Sequence, residues 1–297
     1  MFNLFLYFQK PQNDFSLPIS AGEIVYGLKN QAYILPITEP NYIPVLDSNI
    51  VRPAIYAKSA VVYDTRSGRF LFEKDATLKL PIASLTKIMS AVVILENFEL
   101  DDIVTVTEES IRVDGEKQDL YLGEKISVRN LLKLMLIESS NDAAYALAGS
   151  AKNLGLDFVK SMNIKAAELL MNHSLFFDPA GLSDNAYSSA EDLVKLVEYS
   201  LKYPQIWDIS SEKTAIVESS DEKITHNVRS TNRLLGLIND IIGGKTGYTE
   251  GAGQCMILVT SVPGYSGKIV SIVIGSDDRF GDTQKLIEWT RRAYKWE

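Results

Sequence analysis

Strand-like segments lie on both sides of a long helical stretch in this chain. Lys58–Asp64 and Arg69–Glu73 flank a Thr-Arg-Ser-Gly turn, which predicts a hairpin. Helical character then fills about 86–205, and an amphipathic helix is predicted at about Asp282–Tyr294. Strand character returns in three segments between them, which are Thr214–Val217, Gln254–Val262 and Lys268–Ser276.

This distribution constrains the fold strongly. Strands at the two ends of the domain must find partners, so we expect the first hairpin to join the C-terminal strands in one antiparallel sheet. The sequence therefore predicts an α+β fold, with an antiparallel sheet flanked by helices plus a mostly helical lobe. A functional site is expected at the seam between sheet and lobe, where pockets tend to form.

The first 54 residues have a different composition. Six of the ten prolines lie there, namely Pro11, Pro18, Pro36, Pro40, Pro44 and Pro53. We interpret 1–54 as an extended segment, partly linker, and 55–297 as the main folded domain. Met1–Phe8 is apolar but too short for a spanning helix, which needs ~20 residues. One hypothesis is that it is the end of an export signal or membrane anchor that begins upstream.

Composition excludes several function classes. The net charge of −8 argues against a nucleic-acid-binding surface. One cysteine and two histidines provide no zinc-ligand spacing, so we expect neither a metal nor another cofactor. Cys255 is predicted to be a small core residue, and His173 and His226 are predicted to lie in loops or on the surface. No Gly-x-Ser-x-Gly motif is present, which weighs against Ser-His-Asp hydrolases.

A Ser-x-x-Lys motif at Ser84–Lys87 precedes the apolar run Ile88–Leu95. This context predicts a turn that leads into a buried helix, with the serine at its N-terminus and the lysine one turn further on. Two other copies, Ser210–Lys213 and Ser220–Lys223, lie in polar stretches and have no such helix. The alternative interpretation is a helix-capping serine with a surface lysine.

A second polar motif, Ser139-Ser140-Asn141, interrupts two apolar helical runs. One interpretation is a simple connection between helices, in which Asn141 or Asp142 caps the second. The other places Ser139 and Asn141 in a cleft supported by both helices.

The third motif, Lys245-Thr246-Gly247, follows two glycines and precedes the strand-like run Cys255–Thr260. A glycine after Lys-Thr permits another backbone to approach closely. The near-copy Lys213-Thr214-Ala215 lacks that glycine. The alternative is a hairpin turn with an exposed lysine.

Together the three motifs, in this order, resemble those of the penicillin-recognising serine enzymes, and most closely the D-alanyl-D-alanine carboxypeptidases. The resemblance extends from about Ala57 to the C-terminus. It implies a β-lactamase/transpeptidase-like fold and catalysis by five residues, which are Ser84, Lys87, Ser139, Asn141 and Lys245.

In this family pattern Ser84 is the nucleophile and Lys87 is its base, which requires a depressed lysine pKa. Desolvation and a nearby cation both lower such a pKa, and Lys245 is the candidate cation. The resemblance makes Ser139 the donor of a proton to the leaving amine. It makes Asn141 a support for Lys87 and for the substrate amide.

The resemblance also implies a substrate-binding set. The oxyanion hole would consist of the backbone N–H groups of Ser84 and Tyr248, and Tyr248 stands where relatives often carry histidine. The substrate would add as an antiparallel strand beside Lys245–Gly247, with its terminal carboxylate at Thr246 and Lys245. Arg279 would assist, although a solvated charge at a helix start is the alternative. A rim segment is expected at Thr231–Leu235.

The implied function is removal of D-alanine from peptidoglycan stem peptides ending in D-Ala-D-Ala, through an acyl-enzyme in an extracytoplasmic compartment of a bacterium. β-Lactams are the expected covalent inhibitors. Endopeptidase or transpeptidase action, or a non-catalytic peptidoglycan-binding role, remains open. A class A β-lactamase is a further alternative, because Glu168 and Asn172 have the spacing of its deacylating glutamate and asparagine. However, Ser140 stands where that family has aspartate.

Overall fold

The computed structural model of the chain describes residues 43–113 and 120–296. Most of the predicted segment 1–54, including Met1–Phe8, lies outside the described residues. The strands are β1 (Val45–Leu46), β2 (Ser59–Asp64), β3 (Arg69–Lys74), β4 (Ile103–Thr105), β5 (Lys125–Ser127), β6 (Thr214–Glu218), β7 (Thr225–Arg229), β8 (Ile241–Thr249), β9 (Gly253–Val262), β10 (Tyr265–Ser276) and β11 (Tyr294–Lys295). The helices are α1 (Thr86–Leu95), α2 (Glu108–Ile111), α3 (Val128–Lys133), α4 (Asn141–Ala151), α5 (Phe158–Glu168), α6 (Ala190–Ser200), α7 (Pro204–Ser210) and α8 (Arg279–Ala293).

The central sheet has the order β3-β2-β10-β9-β8, and every neighbouring pair is antiparallel. The N-terminal hairpin therefore joins the C-terminal strands, which confirms the predicted α+β architecture. Val61 pairs with Ile272 across this junction. Among the described strands none pairs with the outer side of β8, so this strand forms an edge.

Both faces of the sheet are covered, because alternate residues of its strands enter different cores. Val61 and Ile257 pack into a large core that they share with the helical lobe. Val62 and Met256 pack on the opposite face, against Leu286 and the rest of α8. Residues that alternate between two buried faces give strands without a polar side, as the apolar run Cys255–Val259 of β9 indicates.

Helix α1 passes through the helical lobe, and nine of its ten residues are buried. A helix that is apolar on all sides is expected at the centre of a core. The lobe includes one feature that the sequence did not predict, because β4 and β5 form a small antiparallel pair inside the stretch interpreted as helical. Among the described residues, no helix is long and apolar enough to cross a membrane.

One local prediction and one detail of an alternative interpretation were wrong. The segment Thr214–Val217 was expected in the central sheet, but β6 pairs with β7 in a separate hairpin. The next strand, β7, supplies hydrogen-bond partners for the backbone of β6. Val217 and Val228 bury their side chains against the lobe. The second error concerns α4, because its N-cap is Ser140, whose side chain accepts a hydrogen bond from Ala143 N, rather than Asn141 or Asp142.

Candidate active site

Ser84 lies in a 3₁₀ turn, Ala83–Leu85, immediately before α1. Ala83 has a φ of +47°, which is a left-handed conformation that a residue with a side chain rarely adopts. Gly247 lies directly against this turn, since a Cβ there would be 3.0 Å from Ser84 N. The structure thus places the third motif against the first, and a glycine is what permits the close approach.

Lys87 is fully buried and directly contacts the serine. Its Nζ lies 2.8 Å from Ser84 Oγ, 2.8 Å from Asn141 Oδ1 and 3.0 Å from the carbonyl oxygen of Ala180. Burial lowers the pKa of this amine to about 7, although the charge of Asp178 opposes the shift. The alternative of a surface lysine is therefore excluded.

The partners of Lys87 are compatible with an uncharged amine. Two of the three neighbouring oxygens, Asn141 Oδ1 and Ala180 O, are carbonyl oxygens that only accept hydrogen bonds. A neutral amine has two N–H groups, which these two acceptors can bind, and it also has one lone pair. That lone pair is then available to the hydroxyl of Ser84, which is the arrangement that a general base requires.

The loop that carries Ala180 is organised by one carboxylate. Asp178 accepts hydrogen bonds from the backbone N–H groups of four residues, namely Ala180, Gly181, Leu182 and Ser183, at distances of 2.6 to 3.1 Å. Gly181, with a φ of +80°, packs so tightly that a Cβ would lie 2.0 Å from Ala83 O. The contact of this Asp-Pro-Ala-Gly segment with Lys87 was not predicted from the sequence.

Ser139 is presented by an unusual backbone. A π-helical turn, Leu134–Glu138, precedes it, and Ser139 itself has a left-handed φ of +73°. Such conformations are costly for a non-glycine residue and concentrate at functional sites. The turn directs Ser139 Oγ to within 2.8 Å of Lys245 Nζ, which joins the second motif to the third.

Lys245 is also buried, with 1% of its surface exposed. Burial lowers its pKa well below the ordinary value, and the charges of Lys87 and Arg279 lower it further. The sequence analysis expected Lys245 to depress the pKa of Lys87 through its charge. In the structure the cause that depresses the pKa of Lys87 is burial.

The remaining predicted binding residues lie on the sheet side. Thr246 Oγ1 is 2.6 Å from Thr231 Oγ1, so the predicted rim segment contacts the third motif. Arg279 Nη1 donates to Gly247 O at 2.7 Å, and this guanidinium is therefore not simply solvated. Tyr248 is 61% exposed beside them.

These groups surround a cavity of about 280 Å³ between the helical lobe and the sheet. Its lining residues are Ser84, Glu138, Ser139, Asn141, Gly181, Leu182, Thr231, Thr246, Gly247, Tyr248, Thr249 and Arg279. Lys87 and Lys245 lie buried behind this lining. Among the lining residues that were not predicted, Glu138 could have been found from the sequence, because it directly precedes the second motif.

Several residues outside the motifs are also accounted for. Glu168, the candidate deacylating glutamate, ends α5 and bonds to Lys165 at 2.6 Å, and it does not line the cavity. His226 is buried in β7, with its Nε2 2.8 Å from Glu124 Oε1, so its predicted surface position was wrong. Cys255 is buried as predicted. Within 43–113 and 120–296, no cluster of His, Cys, Asp and Glu could hold a metal ion.

Comparison with known proteins identifies the relatives of this site. The family model described as D-alanyl-D-alanine carboxypeptidase, peptidase S11, matches residues 47–278. A D-alanyl-D-alanine endopeptidase of Pseudomonas aeruginosa is 34% identical, over 78% of this chain and 76% of its own. The D-alanyl-D-alanine carboxypeptidase DacF of Bacillus subtilis is 31% identical, over 80% and 63%. Penicillin-Binding Protein D2 from Listeria monocytogenes, solved in an ampicillin-bound form, matches with a TM-score of 0.71 and 32% identity, over 81% of this chain and 99% of that one.

Proposed function

Because the chain belongs to the D-alanyl-D-alanine carboxypeptidase family, peptidase S11, we propose that it is a serine-type D-Ala-D-Ala carboxypeptidase. It would remove the terminal D-alanine from peptidoglycan stem peptides through an acyl-enzyme on Ser84. The observation that supports this most directly is the position of Ser84 Oγ, 2.8 Å from a buried amine whose other neighbours are two carbonyl oxygens. A hydroxyl with an uncharged base in contact is an activated nucleophile.

The acylation step follows from these contacts. Lys87 accepts the proton of Ser84 as the serine oxygen bonds to the carbonyl carbon of the penultimate D-alanine. Negative charge then develops on the carbonyl oxygen beside the N–H groups of Ser84 and Tyr248, and each such donor is worth roughly a hundredfold or more in rate. Ser139, 2.8 Å from Lys245, passes its hydroxyl proton to the leaving amine as the amide bond breaks, and Lys245 returns a proton to Ser139. The proton held by Lys87 then replaces the one lost by Lys245. Water then hydrolyses the ester and releases Ser84.

The sheet side of the cavity fits a peptide with a free carboxylate. The outer edge of β8 is available to an added antiparallel strand. Lys245, Thr246 and Arg279 lie together at this edge, and they supply cationic and hydroxyl donors for the terminal carboxylate. A bound carboxylate would raise the pKa values of Lys245 and Arg279 again, which links substrate binding to a charged Lys245.

Labelling with a fluorescent penicillin tests the nucleophile. We expect covalent label on the wild type, at Ser84 by mass spectrometry, much slower labelling of Lys87→Ala and none of Ser84→Ala. Ser220→Ala is the matched control, because Ser220 belongs to a Ser-x-x-Lys copy on a polar surface. Equal labelling of Ser84→Ala and wild type would refute the assignment, provided that both proteins show the same thermal unfolding midpoint.

A second candidate, endopeptidase action, is favoured by the name of the Pseudomonas relative. In that reaction the leaving amine belongs to a cross-linked neighbouring peptide instead of free D-alanine. Comparing release of D-alanine from a pentapeptide with cleavage of a cross-linked dimer separates the two. A larger kcat/KM on the dimer would replace the carboxypeptidase proposal. Rapid turnover of nitrocefin would instead favour a β-lactamase.

The substrate implies a location. Peptidoglycan lies outside the bacterial cytoplasmic membrane, so we propose that the protein acts extracytoplasmically. Export or anchoring would use a segment that precedes the described residues. Secretion of the full-length gene product fused to a reporter that is active only outside the cytoplasm tests this, and an inactive reporter would contradict it.

A further inference from the structure

A basic groove lies next to the catalytic cavity, on the side of the β6–β7 hairpin. It has a volume of about 550 Å³ and is lined by Lys213, Thr214, Arg229, Ser230, Asn232, Arg233 and Leu235. The lining includes three cations and no carboxylate. This is unexpected in a chain with a net charge of −8. We call these residues the hairpin groove.

The hairpin structure holds two of the cations together. Arg229 pairs with Thr214 across β6 and β7, and Ser230 N donates to Lys213 O at 2.9 Å. Lys213, Arg229 and Arg233 are all exposed, and no carboxylate among the described residues is within ion-pair distance of any of them. Unneutralised cations held close together repel one another, so an anionic ligand between them is stabilising.

Asn232, one of the residues that line this groove, has a buried donor without a hydrogen-bond partner among the described residues. Asn232 is 5% exposed, and its Nδ2 has no hydrogen-bond partner within the described part of the chain. Its Oδ1 is already occupied by Leu234 N at 3.0 Å. A buried amide N–H without an acceptor is costly.

Two sets of contacts connect the segments that line the hairpin groove with those that line the catalytic cavity. Thr231, between groove residues Ser230 and Asn232, lines the cavity and bonds to Thr246. Arg233 lies 5.8 Å from the centre of the Phe280 ring, and Arg279 lies 5.0 Å from it. A long substrate seated in the cavity would therefore extend over the groove.

We propose that the hairpin groove is a second binding site for carboxylates of the peptidoglycan polymer, outside the subsite for the terminal carboxylate. The inference rests on the proposed function. Stem peptides carry side-chain and α-carboxylates in addition to the terminal one, and neighbouring peptides on one strand present several at once. The groove would hold polymeric substrate near the active site and contribute little to a short, soluble peptide.

The test compares two double variants with the same change in net charge. Lys213→Gln/Arg229→Gln removes two groove cations, and Lys285→Gln/Arg292→Gln removes two exposed cations of α8. Each is measured for sedimentation with insoluble peptidoglycan, from which phosphate polymers have been removed by acid, at low and high salt. Kinetics on a soluble D-Ala-D-Ala peptide and labelling by penicillin are measured in parallel.

We expect the groove variant to bind the polymer about threefold to tenfold more weakly than wild type, since exposed charge pairs are individually modest. Its salt dependence should also be flatter, while the α8 variant and all kinetics on the soluble peptide stay unchanged. Equal polymer binding by both variants would overturn the groove proposal and leave Ser84 catalysis intact. Binding lost by wild type itself once phosphate polymers are removed would also overturn it, in favour of a phosphate ligand. Failure of wild-type penicillin labelling would instead refute the proposed function.

Discussion

The two walls of the cavity each bury a lysine, but they surround it differently. On the helical wall, Lys87 contacts two carbonyl oxygens and one hydroxyl, and burial lowers its pKa. On the sheet wall, burial lowers the pKa of Lys245, and the guanidinium of Arg279 lowers it further. Residue type alone therefore does not determine the role of a buried amine.

The difference indicates a division of labour. The helical wall suits a neutral base, because its acceptors match the two hydrogens of an uncharged amine. The sheet wall suits anion binding, because Lys245, Thr246 and Arg279 bring cationic and hydroxyl donors together. The following predictions test this division.

Replacing each lysine in turn should change the acylation rate in a different way. Lys87→Ala is expected to slow acylation by about a thousandfold for every acyl donor, which is the range of general-base catalysis. Lys245→Ala should slow labelling by a penicillin carboxylate roughly tenfold more than labelling by its methyl ester, because only the carboxylate loses a charged partner. Labelling rates by stopped-flow fluorescence give all four values.

An equal loss for carboxylate and ester in Lys245→Ala would contradict the division. Lys202→Ala provides the control, because Lys202 lies over the Tyr199 ring, away from the cavity lining.

Asp178→Asn should affect the helical wall alone. Its carboxylate accepts four backbone N–H bonds, and an amide oxygen is a weaker acceptor for the same set. We expect unfolding free energy to fall by about 1–3 kcal/mol and acylation to slow by about tenfold, as Ala180 O loses its position at Lys87. Chemical denaturation and labelling rates measure the two effects. An unchanged labelling rate despite lower stability would show that the loop does not position the base, and the exposed Asp221→Asn is the control.

The sequence predicted the elements of these walls better than their contacts. The strands flanking the helical stretch and the three motifs were sufficient for the fold and for bringing Ser84, Ser139 and Lys245 together. The role of Asp178 was not predictable, because it depends on four backbone N–H directions that exist only after the loop folds. Ser140 as N-cap could not be chosen over Asn141, since all of these residue types cap helices well.

The wrong prediction for His226 is different, because the alternation of residues in the sequence indicated its position. His226 and Val228 are two residues apart, and in a strand such residues share one face. The buried position of Val228 therefore required a buried His226, and Glu124 supplies its partner. Because histidine was counted as a polar residue, the alternation of buried and exposed residues in β7 was not recognised.

The pH dependence of acylation should report the helical wall directly. Lys87 acts as a base only when unprotonated, so the rate should rise with pH and reach half its maximum near pH 7. A penicillin methyl ester is the suitable donor, because it removes the titration of carboxylate binding by Lys245. The charge of Asp178 raises the pKa of Lys87, so Asp178→Asn should move the midpoint to lower pH. A midpoint near the ordinary lysine value would show that Lys87 is charged at neutral pH.

The smallest expected effect concerns the sheet wall. Thr231→Val keeps the shape of the side chain but removes the hydroxyl 2.6 Å from Thr246 Oγ1. Thr246 then loses the contact that orients its hydroxyl, and labelling by a free penicillin carboxylate should slow by about twofold to fivefold, the usual worth of one neutral hydrogen bond. Thr246→Val, which removes the contacting hydroxyl itself, should cost more, and neither variant should slow the methyl ester. Equal slowing of both donors by Thr231→Val would mean that this hydroxyl affects the acylation step itself. The claim that the sheet wall acts only on the carboxylate would then be wrong for the rim segment.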